Sequence, residues 1–137
     1  MTPFPLKIVT PDGLLFDGQA EELVVRTTTG DMGILAGHIN AVAPLGMGQA
    51  TVVAEGKKRT AACIGGMISV INGEVTLVPT TFEWAEKINL DRALRSKERA
   101  EKILENKSSS DVDVRLASAR LKRALIRSSV ANTYKNL

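Results

Sequence analysis

Up to residue 84, apolar side chains alternate with polar ones or come in short runs closed by glycine, as in Leu6-Lys7-Ile8-Val9-Thr10, Leu23-Val24-Val25 and Met67-Ile68-Ser69-Val70-Ile71. A period near two marks strands. From Ala85 onward there is no glycine or proline, and apolar residues recur at helical spacing. The stretch Thr81-Phe82-Glu83-Trp84-Ala85-Glu86-Lys87-Ile88-Asn89-Leu90-Asp91-Arg92 is where one period replaces the other. The pattern predicts a sheet domain over 1–84, a helical domain over 85–137, and a hinge between them.

Within the first part, Leu6 to Thr10 and Leu14 to Phe16 flank the turn residues Pro11-Asp12-Gly13, and Asp17-Gly18 predicts a second turn. Glu22 to Thr29, Met32 to Leu35 and Ile39 to Leu45 follow as further strands. Glu55-Gly56-Lys57 between Gln49–Ala54 and Lys58–Ile64 predicts a hairpin, and Asn72-Gly73 between Met67–Ile71 and Glu74–Val78 predicts a type I′ one. Short strands at this spacing predict a β-sandwich or a flattened barrel.

In the second part, Asn89 is placed to cap a helix whose apolar face is Leu90, Ala93, Leu94, Ala100, Ile103 and Leu104. Asn106-Lys107-Ser108-Ser109-Ser110 interrupts it, and Ser110 or Asp111 caps a second helix with the face Val114, Ala117, Leu121, Ala124, Leu125 and Ala131. The result is an antiparallel two-helix hairpin with a seam rich in alanine, which buries little apolar area.

Charge segregates with the period. Residues 1–84 hold five basic and eight acidic side chains, net −3, whereas 85–137 hold thirteen and seven, net +6. Arg92, Arg95 and Arg99, and again Arg120, Arg123 and Arg127, are spaced i, i+3, i+7, so each trio forms one stripe. Such stripes suit a polyanion, because guanidinium presents a planar fork of donors; they are equally the pattern of solvated amphipathic faces. The single cysteine, Cys63, lies in the apolar run Ala61-Ala62-Cys63-Ile64 and reads as a buried thiol. One histidine, His38, makes neither a metal cluster nor a catalytic triad. The glycines of Gly30 to His38 do not follow a phosphate-loop spacing. Five scattered aromatic residues are too few for stacking nucleic-acid bases. No run approaches a membrane span and no signal peptide opens the chain, which predicts a soluble protein without direct membrane insertion. No enzyme emerges.

Several ordered pieces resemble the epsilon subunit of bacterial F-type ATP synthase. They are Ile8-Val9-Thr10-Pro11-Asp12 with Phe16-Asp17-Gly18; Gly30-Asp31-Met32-Gly33-Ile34-Leu35-Ala36-Gly37-His38 followed by Ala43-Pro44-Leu45-Gly46-Met47-Gly48; Gly65-Gly66-Met67-Ile68; and Ala119-Arg120-Leu121-Lys122-Arg123-Ala124. The resemblance implies a β + α fold, with a ten-stranded β-sandwich over 1–84 and a mobile two-helix domain over 85–137. It implies a non-catalytic central-stalk subunit that binds the gamma subunit and the c-ring, with Asp31 and His38 in the loop region facing the ring. The helices are expected to reach the alpha/beta catalytic head and inhibit ATP hydrolysis, at the cytoplasmic face of the bacterial plasma membrane, with no nucleic-acid partner. No cofactor is required.

In some bacterial members the hairpin also binds ATP as a regulatory ligand, through a motif Ile/Leu-Asp-x-x-Arg-Ala and arginines of the second helix. Here the motif reads Ile88-Asn89-Leu90-Asp91-Arg92-Ala93, with asparagine in place of aspartate. Carried over position by position, the site is Glu83, Ile88, Asn89, Arg92, Ala93, Arg99, Arg123 and Arg127. A free-standing ATP-sensing module is the rival reading, separated from the first by whether the chain co-purifies with gamma.

Overall fold

The computed structural model describes residues 1–136. Two compact units divide the chain, Met1–Trp84 and Ala85–Leu137.

The first unit holds eight strands: β1 Phe4–Thr10, β2 Gly13–Ala20, β3 Glu22–Thr27, β4 Gly30–Ile34, β5 Ala41–Pro44, β6 Met47–Ala54, β7 Lys57–Ile71 and β8 Glu74–Trp84. The family resemblance implies ten. The difference lies in β7 and β8, which bend and serve both layers. The Lys57–Ile64 part of β7 pairs with β6, while Met67–Val70 pairs with β5. Val75–Leu77 of β8 pairs in parallel with Leu6–Ile8 of β1, and its Thr81–Trp84 end pairs with Ala61–Ile64 of β7. One layer therefore runs β2, β1, the start of β8, the end of β7, and β5. The other runs from the end of β8 through the start of β7 to β6, β3 and β4. Counting each bent strand twice gives ten segments in a sandwich.

The fold line crosses Gly65 and Gly66, with φ of 68° and 97°, a region that costs other residues dearly. Gly66 stands opposite Pro79, and a Cβ on it would lie 2.0 Å from the Val78 carbonyl oxygen. The Gly-Gly pair is thus a bend inside a paired strand. Asp17-Gly18 is not a turn either: Asp17 pairs with Lys7 and Gly18 with Leu6, so β2 continues to Ala20 as an edge strand. The two-residue hairpins occur as expected, with Glu55 and Gly56 at φ of 54° and 73° and Asn72 and Gly73 at 50° and 83°.

Alternation builds the core. β1 buries Phe4, Leu6, Ile8 and Thr10 and leaves Pro5 and Lys7 exposed. Leu23, Val25, Ile34, Val52, Ile68, Val70 and Leu77 meet them from the other strands. Full burial of each such side chain contributes about 1.5–3 kcal/mol. Cys63 joins this core, and burial pushes its thiol up to about 12, so it stays protonated and unreactive at neutral pH. Trp84 closes β8, packed edge-on by Phe82 at 4.9 Å and covered by the Arg59 guanidinium at 3.6 Å from the ring centroid.

In the second unit a 3-10 turn, Ala85–Lys87, precedes α1 Leu90–Glu105 and α2 Asp111–Lys135. The short link between the helices makes them antiparallel. Asn89 Oδ1 accepts from the Arg92 N–H at 3.0 Å, and Ser110 Oγ accepts from the Asp113 N–H at 3.1 Å, so Ser110 rather than Asp111 is the second cap. The buried seam consists of Ala93 and Ala100 on α1 and Ala117, Ala124 and Ala131 on α2, each seven residues from the next. Leu94, Val114 and Leu125, expected on the apolar faces, are instead exposed at 37%, 37% and 44%. The alanine line lets the backbones approach, and these larger side chains are left at the rim. Ser128, also buried, donates its hydroxyl to the Ala124 carbonyl at 2.8 Å. No helix among the described residues is long and apolar enough to cross a membrane.

Candidate functional site

Two groups of residues carry the functional expectations, one in each unit. In the sandwich, Asp31 sits at the start of β4, opposite Arg26 of β3, whose guanidinium donates to Asp31 Oδ1 at 3.2 Å. Both side chains are more than half exposed, so the pair contributes little to stability. His38 lies beyond the other end of β4, in the loop where Gly37 has φ of 85°. Its Nδ1 lies 2.7 Å from the Ile39 carbonyl oxygen and must carry the proton it donates, which leaves Nε2 as the nitrogen open to a partner. Beside it Leu35 and Ile39 are exposed at 52% and 78%, giving the loop an apolar tip. No hydrogen bond joins Asp31 to His38; they flank one strand rather than forming one site.

The outer face of the first layer has a second exposed apolar feature. Pro44 pairs with Met67 and Met67 with Val78, and on the neighbouring strands Val9 pairs with Leu14. Pro44, Met67 and Val78 form one row across β5, β7 and β8, and Met67, Val78 and Leu14 are exposed at 44%, 46% and 57%.

In the helical unit, Ser96, Arg99, Ala100, Ile103 and Arg120 line a groove of about 340 Å³ between α1 and α2. Arg99 of α1 and Arg120 of α2 therefore border the same groove. Seven residues from each, about 10.5 Å at 1.5 Å per residue, come Arg92 and Arg127. Arg123 falls between these levels, on the same stripe as Arg120 and Arg127. Of the two arginine stripes, Arg99 and Arg120 line the groove. Arg92 and Arg123 are exposed, Arg127 and Ile88 half-buried, and Ala93 fully buried in the seam, where it serves packing. Glu83 is half-buried on β8 opposite Ala62 and belongs to the N-terminal unit. Arg120 and Ser96 lie outside the site carried over by resemblance. Arg120 is nonetheless legible as the first member of its stripe, whereas Ser96 carries no signal before α1 and α2 are paired.

Asn89 is half spent by its own helix. Because its Oδ1 accepts the Arg92 N–H, its amide nitrogen points the other way, as a donor. An aspartate there would turn a second acceptor outward.

Among the described residues, no cluster of His, Cys, Asp or Glu that could hold a metal ion occurs. Sequence comparison decides the family. The ATP synthase delta/epsilon chain beta-sandwich domain matches residues 3–85, and the long alpha-helix domain of the same chains matches residues 86–132. The chain belongs to the ATP synthase delta/epsilon family. It is 44% identical to the ATP synthase epsilon chain of Bacillus velezensis over 131 residues, 96% of this chain and 98% of that one. It is 40% identical to the epsilon chain of Caldicellulosiruptor bescii over 135 residues, 98% of each. The fold also matches a chain of the Euglena gracilis mitochondrial ATP synthase, with a TM-score of 0.83 and 23% identity over 94% of this chain and 81% of that one. Epsilon chains thus share both units of this protein and not just one.

Proposed function

We propose that the protein is a non-catalytic rotor subunit of a proton-driven F-type ATP synthase, carrying torque between the c-ring and the catalytic head. The observation that carries this reading is the match to epsilon chains through both the sandwich and the helices, over nearly the whole length of each chain. The Euglena structure contains F1 and the c-ring, and a Tetrahymena thermophila match with a TM-score of 0.65 and 9% identity is described as central stalk and c-ring. On this reading the apolar row of Pro44, Met67 and Val78 docks on the gamma subunit, since exposed apolar surface of this kind marks interfaces. The loop with His38, Leu35 and Ile39 faces the c-ring, with Asp31 on the adjoining strand. The protein then lies at the cytoplasmic face of the membrane through its partners.

The helices supply regulation. Their basic stripes meet acidic surface on the alpha/beta head when the hairpin opens, and the thin alanine seam makes opening inexpensive. ATP binds the closed hairpin along the arginine groove and favours the state that permits hydrolysis. A ligand shifts such an equilibrium only by its preference between the states; a tenfold preference supplies about 1.4 kcal/mol. Trp84, beside the hinge sequence, is a natural reporter. Its fluorescence is expected to change saturably with ATP in the isolated protein, with matching heat in calorimetry. Asn89→Asp is expected to tighten binding about tenfold, because it turns an acceptor toward the adenine amino group while keeping the cap. No heat and no fluorescence change at millimolar ATP would rule out the nucleotide part of the reading.

A further inference from the structure

We propose that Asn40 is a positioning residue for the ring-facing tip of the sandwich. Its side chain clasps the loop between β4 and β5 to the β7–β8 turn, so that His38 and Ile39 meet the c-ring as one preformed, uncharged surface. The inference rests on the ring-facing reading of this loop and names the residue that holds it. The loop spans residues 35–40, between Ile34 and Ala41. At its start the His38 N–H donates to the Leu35 carbonyl at 3.2 Å, across a turn in which Gly37 has φ of 85°. At its end the backbone ladder between β5 and β7 begins only with Ala41 and Val70. Just outside that ladder the Asn72 N–H donates to Asn40 Oδ1 at 2.8 Å, a bond between residues 32 apart in the chain. Asn72 is itself fixed, since it and Gly73 are the two positive-φ positions of the hairpin turn. The side chain thus fastens the loop to a stiff anchor where the sheet no longer does.

The chemistry of the clasped end says what it can meet. Ile39 and Ile71, each the residue before a member of the clasp, are exposed at 78% and 53%. Between Asp31 and Glu55, and again between Arg59 and Glu74, the sequence has no aspartate, glutamate, lysine or arginine. Long-range attraction therefore does little to orient a partner at this end, and short-range contacts must do so. Because His38 Nδ1 is committed to the Ile39 carbonyl, Nε2 of the neutral ring is an acceptor. Such a surface takes apolar contact together with a hydrogen bond from a neutral donor. Ordering a loop at the moment of binding costs affinity, and a loop already held in place avoids that cost. The Asn40 bond is exposed, so its contribution lies in fixing the loop rather than in holding the fold together.

Three variants of the full chain test this: Asn40→Ala, Asn40→Asp, which keeps the acceptor, and Ile39→Ser, which removes apolar contact directly. Hydrogen exchange followed by NMR reads the clasp. The Asn72 amide is expected to exchange about fivefold faster in Asn40→Ala and within about twofold of the parent in Asn40→Asp. Binding of the protein–gamma complex to purified c-ring reads its role. Asn40→Ala is expected to weaken that binding about fivefold and Asn40→Asp to stay within about twofold, with affinity for gamma unchanged within about twofold in both. Unchanged Asn72 exchange in Asn40→Ala would overturn the clasp itself. Equal weakening by Asn40→Ala and Asn40→Asp would show that the acceptor is not what matters. If Ile39→Ser weakens ring binding and Asn40→Ala does not, the inference is wrong while the ring-facing reading stands. If none of the three variants weakens it, the ring-facing reading falls and the inference with it.

Discussion

Gly66→Ala is expected to destabilise the sandwich by about 3–5 kcal/mol, the upper range for a single substitution. Two costs combine. The residue would be held at φ of 97°, where side chains are strained, and its Cβ would meet the Val78 carbonyl oxygen at 2.0 Å and the Pro79 Cα at 2.6 Å. Neither neighbour is a flexible side-chain end, so β7 and β8 would have to part at the line where both cross between layers. Gly56→Ala is the control: its φ of 73° is also positive, yet nothing lies within 4 Å of the added carbon. Conformation alone then acts there, at about 1 kcal/mol. Urea denaturation of the two variants separates the effects. Equal losses would show that the close approach of β7 and β8 does not matter.

Deletion of residues 88–137 is expected to raise ATP hydrolysis by the assembled enzyme at least about fivefold, the low end of common coupling free energies, while synthesis stays coupled. The sandwich keeps its own core from Phe4 to Trp84, so the remaining chain retains the surface proposed to dock on gamma. What is lost is the basic groove and with it the proposed restraint on the head. If the proposed restraint is electrostatic, the excess of the truncated over the full enzyme should shrink as salt rises, with the Debye length falling from about 10 Å at 0.1 M to 3 Å at 1 M. Hydrolysis unchanged by the deletion would remove the inhibitory role.

The layout of the chain is legible because the period changes at one place and the charge changes with it. Asn72-Gly73 announces its turn because both residues must take positive φ, which few other pairs accept. Gly65-Gly66 also takes positive φ, but the need at Gly66 is for close approach between β7 and β8. Asp17-Gly18 misleads for a related reason. Its turn chemistry is overridden by pairing with Lys7 and Leu6 along a sheet edge. In the hairpin, helical spacing marks Leu94 and Leu125 as apolar-face residues, but the closest approach follows the alanines and leaves these leucines outside.

Of the candidate site, the stripes are legible because helical periodicity fixes them. Which arginines face each other is not, since it depends on the register between helices, set by the loop from Asn106 to Ser110. That loop is closed by the Ser109 hydroxyl donating to the Ile103 carbonyl at 2.8 Å and the Ser108 N–H donating to Asn106 Oδ1 at 2.9 Å. Arg59 covering Trp84 has no local signature either, because the two residues are joined only through the pairing of β7 with β8.

The central claim is that this chain occupies the stalk of an ATP synthase. Affinity capture of the tagged full-length protein from detergent-solubilised membranes tests it most directly, with the captured subunits identified by mass spectrometry. The account predicts gamma and c subunits in stoichiometric amounts, retained when residues 88–137 are absent and reduced when Met67 and Val78 are both replaced by aspartate. Recovery of the protein as a monomer, without gamma under any of these conditions, would contradict it.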